Sequence, residues 1–177
     1  MMDINSLTEL YRHMEWADAK VWATVLAHEG GPSDAKLREC LYHLHMVQHA
    51  FLRIWRGETR EFPFPTFDDA ESLMRWVRDY YSQIFDHLGR LSDEKLAEPM
   101  NMPWADMIEK QVGRKPEGTT VGVTVLQVAL HSMYHRGQAN ARLRQLEGTP
   151  PLVDYIAWVW LGRPAPDWPP SAPQVKG

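Results

Sequence analysis

The stretch HSMYHRGQ, residues 131 to 138, sets two histidines four apart. On a helix, positions i and i+4 lie one above the other, so His131 and His135 point the same way. Imidazole suits zinc, nickel, copper or iron(II), and two stacked imidazoles can grip one such ion. Three protein ligands with one position open form the catalytic pattern, because the free position takes water or substrate. A third ligand must come from elsewhere, and LYHLHMVQH, residues 41 to 49, offers His43, His45 and His49. Spacing does not choose between His43 and His45. His45 and His49 are themselves four apart, a competing pair of equal merit, and His-x3-His pairs arise by chance on many surface helices. His13, His28 and His87 read as surface or boundary residues.

Other chemistries leave no signature. No His-Glu-x-x-His motif is present, which removes the common helical metalloprotease pattern. No glutamate stands three residues before a histidine, so the Glu-x-x-His element of di-iron bundles is missing. There is no Walker loop and no Rossmann glycine pattern. Cys40 is the single cysteine, which excludes an intramolecular disulfide and a cysteine-rich zinc site. It reads as a small buried apolar group.

The elements that position these histidines are helical. The chain of 177 residues predicts one domain with a proper core. In the first segment Leu7, Leu10, Met14, Ala17, Val21 and Val25 recur in steps of three and four, with Ser6 and Glu9 at capping-box spacing. A second helix is predicted from about Ser33, its candidate N-cap, to Arg56. Leu37, Leu41, Leu44, Phe51 and Trp55 lie near one face, with His43 and His45 on its shoulders and His49 farther out. EFPFPT is a turn, Thr66 and Asp69 suggest a cap, and a third helix follows to about Leu88. LSDEKLAE adds a short helical turn, and residues 99 to 119 read as irregular, a connection long enough to be functional. Within it, Trp104 is a candidate pocket wall.

The fourth helix is predicted from about Thr120 to Leu146, buried along Leu126, Leu130, Met133 and Gly137, with Gly137 allowing close helix approach. Arg136, turned roughly 100° from His135, is expected to pair with a neighbouring helix. DYIAWVWLG forms a short fifth helix with Asp154 near its start. Pro164, Pro166, Pro169, Pro170 and Pro173 then make an extended tail. The expected fold is all-α: a four-helix bundle with a long crossover, a short C-terminal helix and a Pro-rich tail. The bundle spans 1–163 and the tail 164–177.

A net charge of -4 gives no electrostatic footprint for a nucleic-acid backbone. No segment approaches about 20 uninterrupted apolar residues, so no membrane span is expected. The start, MMDINSLTELYRH, lacks a basic and apolar leader, which predicts a cytoplasmic protein.

Three motifs together resemble one family. LHSMYHRGQANARLRQLEGTPPLVD is similar to the signature of the DinB/YfiT-like family of proposed metalloenzymes, in which a His-x3-His pair runs into Arg-Gly-Gln. YRHMEWADAKVW resembles the family's first helix. LYHLHMVQHAFLRIWRGE resembles the second-helix motif, where a histidine precedes an aromatic by eight residues and a glycine by fourteen. Counting back from Phe51 and Gly57 selects His43. The resemblance runs from about residue 7 to 156 and is weakest across 91 to 119.

It implies that His43, His131 and His135 bind one divalent transition metal, zinc or nickel foremost and then iron, with water in an open position. Many members carry a further histidine where this chain has Gln127. It also implies a homodimer and a small-molecule substrate. The implied reaction is metal-dependent transfer of a low-molecular-weight thiol, or thiol-dependent isomerisation, on a small electrophile. The alternatives are a metal-dependent hydrolase and a non-catalytic module in which the metal staples two helices. No catalytic side chain is assigned.

Overall fold

The computed structural model describes residues 3–58 and 63–170, and part of the EFPFPT turn and the end of the tail lie outside them. Seven helices are described: α1 Ile4–Ala27, α2 Ala35–Trp55, α3 Ala70–Leu88, α4 Asp93–Leu96, α5 Ala105–Val112, α6 Val121–Gln145 and α7 Tyr155–Trp160. The long helices α1, α2, α3 and α6 form the expected bundle. The excursion between α4 and α6 is closed by an antiparallel pair, β1 Pro99–Met100 against β2 Thr119–Thr120, in which Pro99 faces Thr120 and Met100 faces Thr119. No described helix is long and apolar enough to cross a membrane.

α1, α2, α3, α4 and α6 begin where an aspartate or hydroxyl accepts from a free N–H group, whereas α5 and α7 begin without a side-chain cap bond. The caps of α1 and α2 differ from the expected Ser6 and Ser33, and at α3 it is Asp69 of the expected Thr66 and Asp69 that caps. Asp3 accepts from Ser6 N at 2.9 Å, Asp34 from Leu37 N at 2.8 Å and Asp69 from Ser72 N at 2.6 Å. A carboxylate also complements the positive end of the helix dipole, which a serine hydroxyl does not.

The core is aromatic and aliphatic, with Tyr11, Trp22, Met74, Tyr80 and Ile84 fully enclosed. Burying a large apolar side chain contributes about 1.5–3 kcal/mol, so this centre is the main source of cohesion. The tail's described part lies on the bundle: Trp168 donates to Glu15 Oε1 at 3.1 Å and packs on Tyr81.

Two expectations are corrected. Residues 99 to 119 are not wholly irregular, because the run ADMIEKQV between Pro103 and Gly113 holds no proline or glycine and folds as α5. Gly113 ends α5 at φ +73, a left-handed conformation open to glycine. On α6, Leu130 and Met133 are 48% and 60% exposed and Gly137 is exposed. The inward face is Val125, Val128, Ser132, Arg136, Ala139 and Leu143. A Cβ on Gly137 would meet nothing within 4 Å, so close helix approach does not require it. An ion pair, described below, turns this helix against its apolar stripe.

The start of α2 is tied to the end of α6. Arg142 forks onto Asp34, Nε to Oδ1 at 3.0 Å and Nη2 to Oδ2 at 2.6 Å. The fork is bidentate and charge-assisted, and it serves both helix ends at once. Hydrogen bonding from Arg142 draws the Asp34 carboxyl down to about 2. Asp34→Ala, which removes cap and fork together, is expected to cost about 1–2 kcal/mol in urea unfolding near neutral pH. A depressed carboxyl contributes fully above its unfolded value of 3.8 and loses that contribution as pH falls through about 2. The gap between wild type and variant should therefore close on acidification across that window.

Candidate metal centre

α2 and α6 bring His43, His131 and His135 together. Each offers one ligand nitrogen, and these nitrogens all lie within 4.8 Å of one another. Two nitrogens held about 2.1 Å from one ion lie no more than roughly 4.2 Å apart, so the cluster is on that scale. The ring centroids of His131 and His135 are 4.3 Å apart, and that of His43 is 4.6 Å from His135.

The donor chemistry suits a metal. His135 Nδ1 is 2.7 Å from Gln138 Oε1, and because the amide oxygen accepts, Nδ1 carries the proton. Nε2 keeps its lone pair, the orientation that a hydrogen-bonded neighbour imposes on ligating histidines. His131 Nδ1 is buried without a protein partner. Burial, followed by the neighbouring His135 and His43, pushes His131 down to about 4. Burial and His135 likewise lower His43. Both rings are therefore neutral near pH 7, as ligation requires.

Hydrogen bonding decides what spacing left open. His45 Nε2 accepts from Trp22 Nε1 at 3.0 Å, and its Nδ1 donates to Gln48 Oε1 at 2.9 Å. Both ring nitrogens are engaged, so His45 is a neutral core residue with no free lone pair. His49 is not farther out. It is 7% exposed, stacked on Trp76 at 3.9 Å, and its Nε2 donates to the Trp76 carbonyl. That ring stack is what draws it in. His13 is also buried and donates to Val153 O at 2.9 Å, whereas His28 and His87 sit at the boundary as expected. Cys40 directs its thiol to the His135 carbonyl oxygen at 3.4 Å and stays out of the cluster.

Beneath the cluster lies a polar network that the sequence reading missed. Arg136 Nε donates to Asp18 Oδ1 at 2.8 Å, which meets the expectation that Arg136 pairs with a neighbouring helix. Asp18 Oδ2 accepts from the Tyr81 hydroxyl and from Gln48 Nε2, and Gln48 also donates to Ser132 Oγ at 3.0 Å. Burial raises the Asp18 carboxyl, but Arg136, His45 and the Tyr81 hydroxyl together outweigh it and the carboxyl titrates low. The available signal was a carboxylate set among the apolar positions Met14, Ala17 and Val21 of α1.

A cleft of about 940 Å³ opens beside His131. α2 supplies Met46, Val47 and Phe51, the excursion supplies Met102 and Trp104, and α6 supplies Gln127 with His131. Trp104 is a wall of this cleft, and the long crossover shapes it.

The sequence model of the DinB family matches residues 1–165. In structure the chain is similar to a DinB-like protein from Bacillus cereus ATCC 10987. The TM-score is 0.55 and the identity 15%, over 86% of this chain and 98% of that one. At such identity the likeness speaks for the fold alone. No curated protein matches the chain.

Arg136→Met strands a buried carboxylate and is expected to lower the unfolding free energy by about 3–5 kcal/mol. Arg136 Nη2 and Asn140 Oδ1 are buried without partners, so the native network is itself imperfectly satisfied. The double variant Asp18→Leu/Arg136→Met should therefore recover much of the loss in chemical denaturation.

Proposed function

This chain belongs to the DinB family, and from that premise we propose that it is an enzyme holding one divalent transition metal at His43, His131 and His135. Its reaction is transfer of a small thiol to a small electrophile, or thiol-dependent isomerisation of one. The observation that carries the reading is a three-histidine cluster at the edge of a roomy cleft. A bound divalent ion would supply Lewis acidity, lowering the pKa of a thiol so that thiolate is available near neutral pH. The cluster contains three histidines and no carboxylate, so the ion would keep its full positive charge for that purpose.

The protein's own groups do the rest. Gln138 fixes the tautomer of His135. α2 and α6 hold the three rings from two sides. The apolar walls of the cleft exclude water from a bound electrophile and strengthen electrostatic interactions beside it. Zinc or nickel fits the donor set foremost, then iron.

A metal that merely staples α2 to α6 would need no cleft, and the cleft beside His131 therefore favours the enzymatic reading. We further propose a cytoplasmic homodimer. Trp158 of α7 turns inward while Ile156, Trp160 and Leu161 remain exposed, a surface suited to a second copy.

Elemental analysis of untagged protein tests the site. His43→Ala, His131→Ala and His135→Ala should each strip most of the metal, whereas His49→Ala should leave its stoichiometry unchanged. Loss in His49→Ala with retention in His43→Ala would overturn the assignment. Protons compete weakly with the metal for rings whose pKa is lowered, so metal content should hold at neutral pH and decline as pH falls toward about 4, where His131 takes up a proton. Light scattering at micromolar concentration should give twice the chain mass. With cobalt in the site, a cellular thiol should produce a sulfur-to-metal charge-transfer band. No band and no metal-dependent turnover would leave the staple.

A further inference from the structure

We infer that the cleft beside His131 binds an uncharged, largely apolar small molecule carrying a flat ring, with its polar end toward α6. That this molecule is the substrate rests on the metal reading above, whereas its binding does not. The volume, about 940 Å³, lies at the upper end of the range for small-molecule sites, roughly 300–1,000 Å³. It suits a drug-sized ligand better than a two-carbon fragment.

The walls state what kind of ligand. Met46, Val47 and Phe51 of α2 face Met102, Trp104 and Met107 of the excursion. Trp104 stands edge-on to Phe51, with ring centroids 5.1 Å apart and planes at 71°. Aromatic faces and edges of this kind favour another ring, and thioethers adapt to its outline.

The charges state what it is not. The charged residues lining the cleft are Asp106, Glu109, Glu117 and Lys115, all exposed and all on the excursion. Glu117 pairs with Arg114 at 3.4 Å, which leaves Asp106 and Glu109 against Lys115, so the rim is weakly acidic and does not attract anions. Among the described residues that line the cleft, none of the apolar walls carries a cation, so in the metal-free protein a carboxylate or phosphate buried there lacks a lining partner, and an uncompensated buried charge is costly. Gln127 and His131 line the α6 side. The Gln127 amide offers two donors and an acceptor, enough to orient one carbonyl or hydroxyl beside the histidines.

The test uses metal-free full-length protein and two probes that share one ring system. N-phenyl-1-naphthylamine is uncharged, and 8-anilinonaphthalene-1-sulfonate carries a sulfonate. Titrations run in about 1 M salt, where screening shortens to about 3 Å and the protein's overall charge ceases to discriminate. The uncharged probe should bind one to one with blue-shifted emission, at least about tenfold tighter than the sulfonate. Ala50→Trp and Ala105→Trp, which fill the cleft from opposite sides, should each weaken it by about tenfold while far-UV circular dichroism stays helical.

Absence of binding by the uncharged probe overturns the inference. So does equal or tighter binding of the sulfonate, and so does undiminished affinity in whichever tryptophan variants fold. His135→Ala separates the two readings, since His135 does not line the cleft. That variant should bind the uncharged probe as wild type does. If it also keeps its metal, the metal assignment fails while the cleft assignment stands.

Discussion

The ion pair between Asp18 and Arg136 sets the geometry on which the site depends. An ionised carboxylate is tolerated in a core only when charge and hydrogen bonds replace the water it loses. Asp18 receives both, from Arg136, Tyr81 and Gln48. Reaching it fixes the rotation of α6, because Arg136 must point inward at α1. His135 precedes Arg136 by one residue and His131 lies one turn earlier, so both are carried to the flank that faces α2. On α2 the same network draws in Gln48 and His45. His43, two residues before His45, is thereby roughly 200° round the helix from it and points to the outer flank. A buried charge that touches none of the three histidines thus determines where they stand.

The long helices were legible because their apolar residues recur at the helical period over helices of 19 to 25 residues. Which histidine of α2 joins the cluster was not legible from spacing, and only likeness to the family's second-helix motif pointed to His43. The structure supplies the physical reason that His45 is unavailable, in the two hydrogen bonds that occupy its ring.

The inward face of α6 was misread for a related cause. Leu126, Leu130, Met133 and Gly137 form a credible apolar stripe, yet α6 buries Ser132, Arg136 and Asn140. Hydrophobic periodicity is a one-sided guide when a partner helix already holds a charge that needs neutralising. The one clue, Asp18 amid apolar neighbours, lies on a different helix. The caps Asp3 and Asp34 escaped for a simpler reason: other capping residues stand close beside them, and sequence alone does not rank them.

Rotation alone does not bring three histidines to one point; α2 and α6 must also be in register. In an antiparallel pair each step up one helix is a step down the other. Three bonds mark the register along the pair: Asp34 with Arg142 at one end, Gln48 with Ser132 in the middle, and Trp55 Nε1 with Thr124 Oγ1 at 2.9 Å near the other. His43 falls between the first two on α2, and His131 and His135 lie across from it on α6. A slip of one residue would displace the rings by about 1.5 Å, comparable with a metal–nitrogen bond. Apolar contacts are non-directional and would permit such a slip with modest loss, whereas hydrogen bonds weaken steeply with misalignment. The apolar core therefore holds the helices together, and it is the polar bonds that tell His43 which turn of α6 to face.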